Sequence, residues 1–169
     1  MHELQTVTFS HEGVELQGQM AVPSGPGPHP AVLVVHTALG IGEHMRKQAR
    51  LLASMGYVAV AVDMYGGGVY HSNPSAAGAA IAVVFENPAL IRARIVAWHA
   101  FVSGLANVDS ARIAAIGYCF GGRCVLELAR SGADVKAVVS FHGLLETSRP
   151  AQRATIELTP SAPTTSLAL

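Results

Sequence analysis

The 169 residues suit one domain with a core of useful size, since a chain of about 150 residues buries roughly 68 to 70% of its unfolded surface. Hydrophobic residues make up 50% of the chain and charged residues 13%, against the roughly 25% charged of ordinary soluble domains, a balance that favours buried parallel strands. With 11 basic against 11 acidic side chains and no basic run, the charge excludes the electrostatic footprint of a nucleic-acid binder.

The N-terminus, "MHELQTVTFS", carries Glu3 and lacks the long apolar region of a signal peptide. The longest apolar stretch, "AAGAAIAVVF", stops at Glu86, far short of the roughly 20 residues a membrane span requires. The expectation is a cytoplasmic protein with no membrane partner. "TVTFSHEGVELQGQMAVP" places β-branched and apolar residues around "HEG" and predicts a hairpin from about Thr6 to Val22. The turn-rich connector "PSGPGPHP" leads into "AVLVVH", a continuous apolar run from Ala31 that suits a fully buried strand. In "EHMRKQARLLASMG", Met45, Ala49, Leu52 and Ala53 fall at helical spacing, and Gly56 is placed to end the helix.

A second buried strand, "YVAVAVD", follows, and a right-handed crossover makes the two strands parallel. Beyond the glycine-rich loop "MYGGGVYHSNP", helices are expected from about Ser75 to Phe85 and from Pro88 to about Leu105, the latter with proline near its first turn. "ARIAAIG" predicts a third buried strand, "FGGRCVLELARSG" a helix and "VKAVVSFHG" a fourth strand. The fold class is α/β, with a mainly parallel sheet flanked by helices and an N-terminal hairpin. After about Pro150 the prolines, threonines and serines show no period, which predicts an irregular tail over 151–169.

Cys119 and Cys124 lie five apart in one segment, where a helix turns them about 140° from each other, so neither a disulfide nor a metal pair is a natural reading. Cys119 follows a buried strand and precedes a Gly121-Gly122 pair that opens a helix, the layout of a nucleophile elbow. The sharp turn crowds the backbone, which calls for small residues at Gly117 and Gly121. The helix N-terminus favours thiolate, and the Phe120 amide points where an oxyanion would form. The competing reading is a buried core cysteine, the commonest fate of the residue.

The hexad Gly117, Tyr118, Cys119, Phe120, Gly121, Gly122 and the upstream "VLVVHTALGIGEHMRKQARLLASMGYVAVAVDMYGGG" resemble the dienelactone hydrolase family of α/β-hydrolases, over roughly Thr6 to Pro150. The resemblance implies Cys119 as nucleophile and the backbone amides of Phe120 and Ala38 as an oxyanion hole. It departs from the founding dienelactone hydrolases at Thr37, which stands after His36 where those proteins place a glutamate. The family also places its acid and histidine on loops after later strands, beyond the end of this chain. After Cys119 the only aspartate is Asp134 and the only histidine His142. Asp134 falls between the elbow helix and the next strand, at the wrong end of the sheet.

His142 and His36 flank the Cys119 strand at its C-terminal edge, where ligands gather in open α/β sheets. They and Thr37 are candidate pocket residues, and either imidazole is a candidate base. Glu43 and His44 are expected to cap a helix or face solvent, His71 to border the pocket, and His99 to pack. No metal-spaced cluster exists, and "GGG" lacks the spacing of a dinucleotide site, so no cofactor is expected.

The expected organisation is a C-terminally truncated α/β-hydrolase-like domain over 1–150 followed by the tail. Its expected function is hydrolysis of a small ester or lactone through Cys119. The alternative is a catalytically inactive domain that binds a ligand or persists as a remnant. A fourth strand left at the sheet edge would also be a site for homodimer pairing.

Overall fold

The computed structural model describes residues 2–145, 147 and 151 with their side chains, and the main chain of 157–158 and 165–168. Strands β1 (Leu4–His11) and β2 (Val14–Ala21) form the expected hairpin, in register from Leu4 opposite Ala21 to His11 opposite Val14. Its two-residue turn puts Glu12 and Gly13 at φ 50° and 78°, the two positive values that match the twist of the flanking strands. β2 then pairs antiparallel with β4 (Val58–Val62).

The centre of the sheet is parallel: β4 lies beside β3 (His29–Val35), β3 beside β5 (Val108–Tyr118), and β5 beside β6 (Ala137–Phe141). Alternate residues of β3 serve opposite faces. Val32 and Val34 pack with Met45 of α1 (Glu43–Ser54), while Leu33 and Val35 join the core that contains Trp98 and Phe120. Helices α3 (Pro88–Ser103) and α4 (Phe120–Arg130) cover that second face. Burial on both faces is what the near-continuous apolar runs required.

The helix starts follow local chemistry. Asn73 accepts from the Ala76 amide at 2.9 Å ahead of α2 (Pro74–Glu86), and Asn87 does the same for Leu90 at 3.3 Å ahead of α3. Each asparagine satisfies one of the free amides at its helix start, and the proline behind it supplies the required φ.

The tail is corrected in part. Residues Glu157–Leu158 (β7) and Thr165–Ala168 (β8) are short strands, and β8 pairs antiparallel with β6, extending the order to β1-β2-β4-β3-β5-β6-β8-β7. The physical reason is the unpaired row of amides and carbonyls that β6 would otherwise present. The edge expected to be open for a homodimer is therefore occupied by the chain itself. The rest of the expected irregular tail lies outside the described residues. No helix among the described residues is long and apolar enough to cross a membrane.

Candidate active site

The parallel strands end on one edge of the sheet, where the expected site residues His36, Thr37, Ala38, Cys119 and His142 lie beside residues the sequence reading did not name. His36, Thr37 and Ala38 follow β3, Asp63 follows β4, Cys119 follows β5 and His142 follows β6. This is the edge where open α/β sheets bind ligands. Asp134 lies between α4 and β6, at the opposite end, exposed and paired with Lys136 at 2.6 Å.

Cys119 sits between β5 and α4 with φ 55° and ψ −113°, a conformation that L-residues rarely adopt. The turn closes because its neighbours lack side chains. A Cβ on Gly117 would overlap the Gly121 carbonyl, and one on Gly121 would overlap the Val35 carbonyl and press on that of His36. The Cys119 amide donates to the Phe141 carbonyl at 2.9 Å, and the Cys119 carbonyl accepts from Gly122 at 3.0 Å. These bonds leave the Phe120 amide at the first helical position. Among the described residues, neither the Phe120 amide nor that of Ala38 donates to a protein acceptor.

The two cysteines have different environments. Cys119 is partly exposed, whereas Cys124 is fully buried in the core and burial pushes its thiol well above the ordinary range. Only the first can meet a solute.

His36 is fully buried, and both ring nitrogens are engaged. Nε2 accepts from the Met64 amide at 3.1 Å, which requires that nitrogen to be unprotonated, so Nδ1 carries the hydrogen it donates to the Thr37 carbonyl at 2.6 Å. Burial lowers its pKa against the opposing pull of the Thr37 carbonyl and Asp63. The expectation of His36 as a candidate base is thereby corrected: its accepting lone pair is spent on main chain, and the ring ties the end of β3 to the end of β4.

Thr37 shapes the following turn. Its Oγ1 accepts from Leu39 at 3.3 Å and its carbonyl from Gly40 at 3.2 Å. With Leu39, Gly40, Gly42, His44 and Tyr70 it lines a cavity of about 270 Å³.

His142 is exposed, one residue beyond the carbonyl that holds Cys119, with φ 44° and no hydrogen-bond partner among the described residues. Glu43 faces solvent and pairs with Arg50 at 3.1 Å, and no side chain caps α1. His44 is exposed with its ring edge-on to Tyr118. His71 is half-buried, its ring 5.9 Å from that of Tyr65. His99 is also half-buried, and burial lowers its pKa.

Three residues of this edge escaped the sequence reading. Asp63, buried at the end of β4, accepts amides from Tyr65 at 2.8 Å, from Gly66 at 3.0 Å, from Gly68 at 2.8 Å and from Gln17 at 3.3 Å. Arg94, buried in α3, donates to the Met64 and Tyr65 carbonyls at 2.7 and 3.0 Å. Tyr65 donates its phenol hydrogen to the Ala38 carbonyl at 3.0 Å. The available signal was the aspartate standing directly after a buried strand, with the tyrosine two residues on. Among the described residues no group of three or more His, Cys, Asp or Glu side chains could hold a metal ion.

A parallel-centred sheet with a strained cysteine at a strand-to-helix elbow defines an α/β-hydrolase fold. The chain belongs to the dienelactone hydrolase family, whose match runs over residues 16–165. It is 34% identical to a putative carboxymethylenebutenolidase of Methylorubrum extorquens over 127 residues, 74% of this chain and 44% of that protein. A protein of the same name from Synechocystis is 30% identical over 81% of this chain and 57% of its own length. The chain thus spans about half the length of these relatives.

Among solved structures, one titled m3DLH superposes with a TM-score of 0.82 at 34% identity, covering 88% of this chain and 62% of that one. A dienelactone hydrolase-like promiscuous phosphotriesterase, P91 from metagenomic libraries, gives 0.81 at 33% identity, covering 86% and 62%.

Proposed function

We propose that this hydrolase-family chain cleaves a small ester or lactone through an acyl-enzyme on Cys119. The observation that carries the reading is the Cys119 elbow, a partly exposed cysteine that precedes Phe120 and shares its sheet edge with the Ala38 turn, the amides of both residues lacking protein acceptors. The thiolate attacks the carbonyl carbon, a carbon–sulfur bond forms, and the carbonyl oxygen becomes an oxyanion between the Phe120 and Ala38 amides. Collapse breaks the carbon–oxygen bond and releases the alcohol, or opens the lactone. Water then cleaves the thioester. A reducing cytoplasm, where cysteine remains a thiol, is the setting this chemistry needs.

His142 is the imidazole we assign to proton transfer within these residues. A second reading, a domain that acylates once without turnover, is favoured by the engagement of both His36 nitrogens. Hydrolysis of p-nitrophenyl acetate by the chain beside its Cys119→Ala variant tests both. Sustained turnover lost in the variant supports the esterase, and its loss in His142→Ala supports the base. A single stoichiometric release supports the second reading. Release that is unchanged in Cys119→Ala overturns the assignment of Cys119.

A further inference from the structure

An oxyanion site built from two amides works only if they keep a fixed spacing, because donors must lie at hydrogen-bond distance from where the charge develops. Ala38 and Phe120 stand on different turns, after β3 and after β5, and no hydrogen bond joins those residues directly. One side chain contacts both. The Tyr65 phenol donates to the Ala38 carbonyl at 3.0 Å, and its ring stacks on that of Phe120 with centroids 5.6 Å apart and planes 18° from parallel.

The ring also lies 4.8 Å from His36, at the root of the Ala38 turn. Tyr65 is itself fixed at both ends of its main chain, by Asp63 at its amide and Arg94 at its carbonyl. Burial raises the phenol pKa, so the hydroxyl remains a donor through the neutral range. The turn that carries Tyr65 grips the Ala38 turn again further on. His71 donates to the Leu39 carbonyl at 2.8 Å, and Gly40 forms a bridge with Tyr70.

We infer that Tyr65 is a positioning residue that sets the spacing of the oxyanion amides, its hydroxyl holding Ala38 and its ring seating Phe120. The carbonyl it holds belongs to the same residue as the Ala38 amide. Losing the bond unties Ala38 on its carbonyl side, so the two peptide planes that meet at its Cα can turn together and the amide direction drifts, while the stacked ring stays. The inference rests on the proposed acylation of Cys119.

The test compares two reactions of the same sulfur in the wild type and in Tyr65→Phe. With p-nitrophenyl acetate the Cys119 thiolate, its proton already given to buffer, forms a thioester through an oxyanion and expels p-nitrophenolate. With iodoacetamide it displaces iodide at a saturated carbon, and no oxyanion develops. Removing an oxyanion donor outright typically costs about 100- to 1000-fold, so loosening one is expected to slow the p-nitrophenolate burst about tenfold. The alkylation rate and the melting temperature are expected to stay near wild type.

An unchanged burst overturns the inference. So does a parallel fall in burst and alkylation, because that marks a general loss of structure rather than of spacing. A wild type that alkylates but gives no burst overturns the acyl-enzyme reading itself and this inference with it, an outcome distinct from the other two.

Discussion

His36 can be protonated at Nε2 only by giving up the hydrogen bond it accepts from Met64. In the unfolded chain the imidazole takes up a proton near 6.5, whereas in the fold burial lowers its pKa. The neighbours divide, since Asp63 favours the charged form and His71 opposes it. His99 is lowered in the same direction by its own burial. The stability these groups contribute is present above pH 6.5 and falls as the pH drops below it, because the unfolded state then binds more protons. The melting temperature is expected to fall between pH 7 and pH 5 by calorimetry, and to fall less over that interval in His36→Gln. A drop of equal size in the variant would remove His36 as a cause.

At the elbow, Gly121→Ala is expected to lower stability by about 3 kcal/mol or more, the upper end of overpacking costs, because the carbonyls of Val35 and His36 have no rotamer by which to yield. Urea denaturation of the variant measures it. The need for small residues at Gly117 and Gly121 was legible from spacing. The fate of His36 was not, because its decisive partner, Met64, is 28 residues away and makes the contact through main chain.

The elements were legible where their signals are local. The helix starts near Ser75 and at Pro88, the hairpin around "HEG" and the buried strand runs depend on residues a few places apart, and the structure reproduces them within a few residues. The segment from Asp63 to His71 depends instead on contacts with β2, α3 and the Ala38 turn, so its glycines alone read as flexibility. Asp63→Ala would strand several of its amides and is expected to cost about 2–4 kcal/mol. Limited proteolysis at Gly66–Gly68 would then accelerate, and a cleavage rate equal to wild type would show that the carboxylate does not hold the turn.

A second buried carboxylate joins two helices. Glu127 of α4 meets Arg92 of α3 at 2.7 Å, with both side chains almost wholly covered. Glu127→Ala removes a partner from a buried guanidinium and is expected to cost about 3–5 kcal/mol in chemical denaturation.

At the scale of the whole molecule, the sheet places the ends of β3, β4, β5 and β6 side by side, so one edge assembles a site from four distant segments. The α/β alternation announced that edge. The covering of β6 by β8 had no local signal, since its pairing is main chain to main chain.

The backbone of Cys119, with φ at 55°, sets stability and activity against each other. A β-carbon in such a conformation costs on the order of 1–3 kcal/mol, so Cys119→Gly should melt higher than the parent while losing the sulfur. That one exchange would trade a reactive atom for a relaxed main chain, so a single variant reads both sides of a stability–activity trade-off.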